Sequence, residues 1–220
     1  MVKGIIFDMD GVLVNNMAIH FKAFAAMAER YNLSSEREID FTHLNGRGNE
    51  DIITALFPAE LVAEKGIQGL ADEKEALYRE IYEPTIKPSA GLVELLGEIH
   101  NAGLRCAVGS SGPRENVEFV LRKCLIEPFF EVRISGDMVT RCKHDPEIFL
   151  SAAAALNLAP EECLVFEDAI SGVKAAKAAG MKVITLTTTH TKEQLQEAGA
   201  DIIAEDFTTI SLGTILSLYK

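Results

Sequence analysis

The chain has 220 residues, 48% of them hydrophobic and 25% charged, which is enough for one or two globular domains with a sizeable core. Its formal net charge of -12 argues against a nucleic-acid backbone or an anionic membrane as a partner, although a small anionic substrate could still meet a locally positive site. No apolar stretch approaches the roughly 18 residues of a membrane span, and the first residues, MVKGIIFD, do not resemble a signal peptide.

The hydrophobic pattern begins with one strand and then becomes helical. The apolar run from Gly4 to Phe7 predicts a short buried strand. From Met17 onward apolar residues recur with helical spacing, and helical patterns continue through 49–57 and 70–82 without a convincing strand between them. The segment PTIKPSAGL, with its two prolines, then indicates a boundary. We therefore predict an inserted helical domain over residues 16–87.

After this boundary, strands and helices alternate. The predicted strands are LRCAVG, EVRIS, CLVFED, KVITL and DIIA, and a last helix is predicted from Phe207 to Tyr219. Thr191 and Gln194 fit a capping box for the helix before the last strand. Such alternation implies a parallel sheet with helices on both faces. The predicted fold is α/β: a Rossmann-like doubly wound parallel sheet core, formed by residues 1–15 and 88–220, with an inserted α-helical domain.

Polar side chains follow three of the predicted strands at the point where each strand ends. They are Asp8 after the first strand, Ser110 and Ser111 after CAVG, and Glu167 and Asp168 after LVF, with Asp10 just beyond Asp8. In an open α/β sheet, ligands bind outside the carboxyl ends of the strands, so these side chains should share one crevice. Four carboxylates meeting there would repel one another without a cation. Oxygen-only ligands suit Mg²⁺, which also binds substrate phosphate.

Four motifs in this order resemble those of the haloacid dehalogenase superfamily, in its phosphatase and phosphomutase branch. DMDGV is similar to the first motif, D-x-D-x-[TV], and Ser110 in AVGSSG is similar to the second, a Ser or Thr closing a hydrophobic strand. Lys143 in RCKHDPEIF is similar to the third, and VFEDAISGVKAAKAAG to the fourth. The helical insertion after the first motif resembles the helical cap of that family. The resemblance covers essentially the whole chain.

The resemblance implies a role for each motif residue. Asp8 attacks phosphorus and becomes an aspartyl phosphate. Asp10 protonates the leaving oxygen and then activates the water that hydrolyses the intermediate. Ser110 donates a hydrogen bond to a phosphoryl oxygen, and Lys143 offsets negative charge on Asp8 and the phosphoryl group.

The resemblance also implies a metal site. Asp8, Glu167 and Asp168 are expected to hold Mg²⁺, with the backbone carbonyl of Asp10 as a further ligand. Taken singly, Glu167 and Asp168 have a plainer interpretation, because acidic residues favour the N-terminus of the helix that follows them.

Ser110 and Lys143 have plain interpretations as well. Ser110 could cap the helix that starts near Pro113, or Ser111 or Gly112 could cap it while Ser110 is catalytic. Lys143 by itself would be an exposed surface lysine. It is their place in the motif series that favours a catalytic role.

Further residues are candidates for substrate binding. A His at the position of His20 is found in β-phosphoglucomutases, where it couples cap closure to acid–base chemistry, although a helical His is commonly a packing residue. LNGRGNED, residues 44–51, resembles the substrate loop of the cap: Gly46 would let backbone approach a ligand, and Arg47 would bind an anionic group unless it is a surface residue. Lys74 either faces the crevice or lies on a solvated helix face. Ser111, next to Ser110, is the last candidate for substrate binding.

The leading hypothesis is a Mg²⁺-dependent phosphatase that acts on a small phosphorylated metabolite, such as a sugar phosphate. The carboxylate at Asp10 excludes the dehalogenases proper and the phosphonate-cleaving branch. A β-phosphoglucomutase-type isomerase is the main alternative, although Asn16 stands where that branch carries Thr, and Glu75 where it carries a polar amide. Inorganic pyrophosphatase and a catalytically inactive binding protein are the others.

The cysteines indicate the cellular compartment. They are Cys106, Cys124, Cys142 and Cys163, with no C-x-x-C pair and no zinc-finger spacing. We expect four free thiols and a cytoplasmic protein. Nothing in the sequence indicates an obligate protein partner.

Overall fold

A computed structural model describes residues 1–33 and 49–219. The chain divides into two compact units. The sheet unit comprises Met1–Asn15 and Ile86–Lys220, and the helical unit comprises Asn16–Thr85.

The sheet unit is built on six parallel strands. They are β1 (Gly4–Phe7), β2 (Arg105–Gly109), β3 (Val132–Ile134), β4 (Cys163–Glu167), β5 (Lys182–Leu186) and β6 (Ile202–Ala204). The strand order is β3-β2-β1-β4-β5-β6, and every pairing is parallel. The chain therefore runs outward from β1 in both directions, which confirms the predicted doubly wound α/β fold.

The helical unit contains four helices among the residues that the structure describes. They are α1 (Met17–Arg30), α2 (Asn49–Leu56), α3 (Ala59–Lys65) and α4 (Ile67–Tyr82). α1 buries Phe24 and Ala28, which the helical spacing of apolar residues predicts, and also Met27. α3 lies outside the predicted helices. It buries none of its residues, so it has no apolar periodicity by which the sequence could indicate it.

Six helices belong to the sheet unit: α5 (Leu92–Asn101), α6 (Arg114–Lys123), α7 (Glu147–Ala155), α8 (Ile170–Ala178), α9 (Lys192–Ala198) and α10 (Leu212–Ser217). On one face of the sheet, Ile6 and Val165 belong to a core cluster with residues of α7, α8 and α9. On the other face, the ring of Phe7 stacks on that of Phe166 with centroids 4.9 Å apart and meets Phe130 edge-on. Alternate residues of each strand thus point into two separate cores.

The C-terminal helix prediction was wrong in its extent. The segment from Phe207 consists of a short 3-10 helix, Phe207–Thr209, followed by α10. The break occurs because the hydroxyl of Ser211 accepts a hydrogen bond from the backbone N–H of Thr214 and so starts a new helix. The predicted capping box of Thr191 and Gln194 is confirmed.

The four cysteines are free, as predicted. Cys106, Cys124 and Cys163 are buried, and Cys142 is exposed. Burial raises the pKa of Cys106 to about 12 and that of Cys124 to about 11, so these thiols are poor nucleophiles. Among the described residues, no helix is both long and apolar enough to span a membrane.

Candidate functional site

The central strands bring the predicted polar residues to one edge of the sheet. β1 lies between β2 and β4, and Phe7 is in register with Val108 on one side and Phe166 on the other. The backbone N–H of Asp8 continues the β1–β4 ladder by donating to the carbonyl of Phe166 at 2.9 Å. Asp8, Ser110 and Glu167 therefore lie at the carboxyl ends of three neighbouring strands.

Lys143 joins two of the acids. Its ammonium group donates a hydrogen bond to Oδ1 of Asp8 and another to Oε1 of Glu167, the latter at 2.6 Å. The Lys143 side chain is only 9% exposed, so the interpretation as a surface lysine was wrong. Desolvation favours the neutral amine, but the charges of Asp8 and Glu167 outweigh it and raise the pKa of Lys143. Lys143 therefore stays cationic among the acids.

Three buried acids form a cluster at the strand ends. Asp8, Glu167 and Asp168 each offer a carboxylate oxygen, and these oxygens lie within 4.8 Å of one another. Burial, opposed by Lys143 and helped by the charges of Glu167 and Asp10, raises the pKa of Asp8 to about 7. Burial, together with the charges of Glu167 and Asp8, also raises the pKa of Asp168. If all three acids are ionised, the cluster carries more negative charge than Lys143 alone can balance, which is why, beyond the effect of burial, the pKa values of Asp8 and Asp168 are raised.

The carboxylate of Glu167 is fixed on both sides. Its Oε2 accepts hydrogen bonds from the backbone N–H groups of Asp168 and Ala169, each at 2.7 Å, while Oε1 accepts from Lys143. A Cβ atom at Gly172, in the first turn of α8, would overlap this carboxylate. The interaction with the start of the helix, which the sequence offered as an alternative to metal binding, is thus part of what orients the acid.

Asp168 is held by residues that sequence reasoning missed. Its Oδ2 accepts a hydrogen bond from the hydroxyl of Thr189 and lies 3.0 Å from that of Thr188, whose proton is shared with the carbonyl of Gly11. Nδ1 of His190 lies 3.2 Å from the backbone carbonyl of Asp168. The signal was present in the sequence, because the polar run TTTH directly follows the apolar strand KVITL, as the other polar residues follow their strands.

Ser110 and Ser111 directly follow β2, in the loop that leads to α6. Ser110 is fully buried, and its Oγ accepts a hydrogen bond from the backbone N–H of Gly112 at 3.0 Å. The interpretation of these serines as caps of α6 was wrong, because the backbone N–H of Arg114 is instead bonded by Asp137 at 2.8 Å. Ser111 lines a cavity of about 130 Å³ together with Lys143.

Asp10 lies on the turn after β1. It is half-buried, and its backbone forms an isolated bridge with Val14. A Cβ atom at Gly112 would lie 3.6 Å from Oδ2 of Asp10 and 3.3 Å from Oγ of Ser110. The loops after β1 and β2 thus pack closely, and a glycine at position 112 leaves space between the two polar groups.

In the helical unit, two of the predicted residues contact each other. Nζ of Lys74 lies 2.7 Å from Nδ1 of His20 and donates to Oε1 of Glu75 at 2.8 Å. The ring of His20 stacks on that of Tyr78, with centroids 4.1 Å apart. Lys74 is 2% exposed, so the interpretation as a solvated lysine was wrong. The remaining two candidates, Gly46 and Arg47, lie outside the described residues.

The acid cluster fits a small divalent cation. Its donors are carboxylate oxygens, the ligand type that Mg²⁺ prefers, and Lys143 bonds to two of its three buried acids. Mg²⁺ binding would favour the ionised forms of Asp8 and Asp168, whose pKa values burial raises.

A doubly wound parallel sheet whose central strands end in acids clustered beside a lysine, with a helical insertion after the first strand, defines a class of hydrolases. Residues 2–180 match the family model of haloacid dehalogenase-like hydrolases. The chain belongs to this family.

Three curated relatives extend the comparison. The Arabidopsis thaliana protein SUPPRESSOR OF QUENCHING 1, chloroplastic, is 34% identical over 98% of this chain, which spans only 21% of that protein. The phosphorylated carbohydrates phosphatase of Thermotoga maritima is 30% identical, covering 90% of this chain and 92% of the relative. The β-phosphoglucomutase of Bacillus subtilis is 29% identical, covering 82% of this chain and 81% of the relative.

A solved structure supports the same family. The crystal structure of CbbY from Rhodobacter sphaeroides in complex with phosphate has a TM-score of 0.85 and 27% sequence identity, covering 97% of this chain and 99% of that chain. This chain is thus an enzyme of a family whose named relatives include phosphatases and a phosphomutase.

Proposed function

We propose that this chain is a Mg²⁺-dependent phosphatase that hydrolyses the phosphate ester of a small, sugar-like metabolite through an aspartyl phosphate. The observation that carries the proposal is the buried cluster of Asp8, Glu167 and Asp168 with Lys143 bonded to the first two. A buried nucleophile next to a cation, at the carboxyl end of the central strand, suits attack on an anionic phosphoryl group.

Asp8 is the proposed nucleophile. One of its carboxylate oxygens forms a bond to phosphorus while the bond from phosphorus to the ester oxygen breaks. Asp10 gives its proton to that leaving oxygen and then takes a proton from the water that cleaves the acyl phosphate, which restores both side chains. Its position two residues after Asp8, on the turn that follows β1, supports this pairing.

Two further side chains stabilise charge. Lys143, already bonded to Asp8, offsets the negative charge that builds on the phosphoryl oxygens. Ser110 accepts its hydrogen bond from Gly112 through Oγ, which leaves its hydroxyl proton available for a phosphoryl oxygen.

We propose that Asp8, Glu167 and Asp168, with the backbone carbonyl of Asp10, hold Mg²⁺. When bound, the ion supplies positive charge that screens the attacking carboxylate from the phosphoryl oxygens. The chain's own contribution is to fix these acids, as the amide and lysine hydrogen bonds to Glu167 illustrate.

The substrate class is proposed from the relatives. The Thermotoga maritima relative is named for phosphorylated carbohydrates, which supports a sugar phosphate as the substrate class. The substrate-binding roles of His20, Gly46, Arg47, Lys74 and Ser111 stay predictions. We propose no nucleic-acid or membrane partner, in keeping with the net charge of -12.

One observation favours phosphomutase activity as the second candidate. The paired His20 and Lys74 match residues expected in the β-phosphoglucomutase branch, which includes the Bacillus subtilis relative. Against it, Lys74 is bonded to Glu75, so its charge is already neutralised within the helical unit.

A panel of sugar phosphates, with pyrophosphate included, separates the candidates. We expect Mg²⁺-dependent release of inorganic phosphate from at least one sugar phosphate and none from the Asp8→Asn variant. Conversion of β-glucose 1-phosphate to glucose 6-phosphate without phosphate release would favour the mutase, and cleavage of pyrophosphate alone would favour a pyrophosphatase. Phosphate release that survives Asp8→Asn would contradict the nucleophile assignment.

A further inference from the structure

Two threonine hydroxyls lie within hydrogen-bond distance of one oxygen of Asp168. Thr189 donates to Oδ2, and Thr188 shares its single hydroxyl proton between Oδ2, at 3.0 Å, and the carbonyl oxygen of Gly11, at 2.7 Å. Across the residues that the structure describes, 1–33 and 49–219, no hydrogen-bond donor is bonded to Oδ1. The two oxygens of this buried carboxylate are therefore unequal: Oδ2 is held by threonine hydroxyls, and Oδ1 accepts no hydrogen bond from the described residues.

The loop that carries these threonines is anchored independently of Asp168. The backbone N–H of Thr187 donates to the carbonyl of Ala204 at 3.0 Å, which ties the loop to the end of β6. The hydroxyl of Thr188 also lies 2.7 Å from the carbonyl oxygen of Gly11, on the turn after β1. The loop is thus fixed with respect to the end of β6 and the turn that follows β1.

Gly11 approaches the Asp168 carboxylate closely, nearest to the same Oδ2. It has a φ of +77°, and a Cβ atom there would overlap that carboxylate. The carboxylate is therefore confined between the loop after β5 and the turn after β1. A rotation that turned both oxygens toward an ion would carry Oδ2 away from the threonine hydroxyls and is opposed by the close approach of Gly11.

We propose that Thr188 and Thr189 form a hydroxyl clamp that makes Asp168 a one-oxygen metal ligand and thereby favours Mg²⁺ over Ca²⁺. The inference rests on the proposed metal site. Mg²⁺ requires near-octahedral geometry with single oxygens from each carboxylate, whereas Ca²⁺ accepts more ligands and readily binds both oxygens of one carboxylate. A carboxylate with one oxygen already bonded suits the smaller ion.

The carboxylate of Glu167 is also held by hydrogen bonds from the protein. Its Oε2 is bonded by two backbone N–H groups and its Oε1 by Lys143. A cation would therefore compete with the protein for either oxygen, and binding through both at once is disfavoured. Two acids of the cluster thus discriminate against a large ion in the same direction.

The test compares variants that lose the hydroxyl of Thr188 or Thr189 with a variant that keeps it. Thr188→Val and Thr189→Val, singly and together, keep the size of the side chain and remove the donor, and Thr189→Ser retains it. Thr187→Val is the matched control, because it alters the same loop at a hydroxyl that does not bond Asp168. Mg²⁺ and Ca²⁺ are titrated separately into the full, substrate-free chain by isothermal titration calorimetry, and folding is checked by circular dichroism.

In the double valine variant we expect the dissociation constant for Mg²⁺ to rise by roughly 10-fold or more, the usual effect of losing residues that orient a ligand, and that for Ca²⁺ to change less. The Mg²⁺-to-Ca²⁺ preference then falls, while Thr189→Ser and Thr187→Val keep the wild-type preference. An unchanged preference in the folded double variant would overturn the clamp. If the double variant does not fold, Thr189→Val against Thr189→Ser gives the same comparison.

Asp168→Asn separates the clamp from the function on which it rests. If Asp168→Asn binds Mg²⁺ as tightly as the wild type, the proposed metal site itself is wrong. If Asp168→Asn loses Mg²⁺ while the valine variants keep the wild-type preference, the metal site stands and only the clamp is wrong.

Discussion

Lys143 donates a hydrogen bond to Asp8 across 135 residues of sequence. The bond joins the segment before α7 to the end of the central strand, so the fold itself brings the cation to the proposed nucleophile. The ammonium group also lies 5.2 Å from the centre of the Phe149 ring, the first aromatic residue of α7, which helps to hold it in place.

Removing this ammonium group should abolish most of the activity. In Lys143→Met, the phosphoryl oxygens and Asp8 lose their positive neighbour, so we expect the turnover number to fall by about 100-fold or more. Steady-state phosphate release with saturating Mg²⁺ measures the effect. Lys192→Met, at an exposed position in α9, is the control and should keep wild-type turnover. Near-normal turnover of Lys143→Met would remove Lys143 from the proposed chemistry.

The space at Gly172 should be required for metal binding. Gly172→Ala adds a methyl group where the carboxylate of Glu167 lies, so the acid must move away from its two amide donors. We expect weaker Mg²⁺ binding by calorimetry, with the secondary structure retained.

Gly97→Ala is the matched control for that variant. Gly97 also lies within a helix, but a Cβ atom there meets nothing within 4 Å. Alanine at this position should leave Mg²⁺ affinity unchanged and stabilise the chain by up to about 1 kcal/mol. Equal Mg²⁺ affinity in the two alanine variants would mean that the position of Glu167 does not matter.

Asp201 should make stability depend on pH. Burial opposes its ionisation, but hydrogen bonds from Lys177, Val183 and Lys182 outweigh it and lower its pKa below the ordinary 3.8. A lowered pKa in the folded state means that the stabilisation is complete above that ordinary value and is lost as the pH falls through the folded-state pKa.

The variant Asp201→Asn removes this stabilisation. Because the two lysines are partly exposed and therefore screened, we expect a loss of about 1 kcal/mol at pH 7 in urea unfolding, mainly from the bond to the Val183 N–H. The difference from wild type should shrink as the pH is lowered below 4. A pH-independent difference would show that ionisation is not its cause. Glu161→Gln, at an exposed acid, is the control.

The buried pair in the helical unit should be strongly coupled. Lys74→Met leaves Glu75 buried without its ammonium partner, which is expected to cost about 3–5 kcal/mol. The double variant Lys74→Met with Glu75→Leu removes both charges and should be more stable than Lys74→Met alone. A double-mutant cycle by urea unfolding gives the coupling energy, and purely additive effects would contradict the pairing.

Ligands bind at the carboxyl ends of the strands in an open α/β sheet, and this rule explains how much of the site the sequence could predict. Asp8, Ser110 and Glu167 were found because each follows an apolar run, and runs of this kind become neighbouring strands in a doubly wound sheet. Thr188 and Thr189 follow such a run as well, but their relation to Asp168 depends on the position of the loop after β5, which spacing along the chain does not specify.

Burial of Lys74 was also within reach of the sequence. Leu70, Lys74 and Tyr78 are spaced four residues apart on α4 and share its buried face. The charge of the lysine suggested exposure, whereas its position on the apolar face, with Glu75 beside it, allows burial. The overlap of Gly172 with Glu167 is different in kind, because it depends on how α8 packs on the end of β4 in three dimensions.

The account depends most directly on where the phosphoryl group goes during turnover. The measurement is an acid quench of the Mg²⁺-loaded chain turning over a labelled sugar phosphate, followed by peptide mass spectrometry. We predict an acid-stable, base-labile phosphoryl group on the peptide that contains Asp8, absent when Mg²⁺ is omitted and absent in Asp8→Asn. Label on a different peptide, or full turnover by Asp8→Asn, would contradict the account.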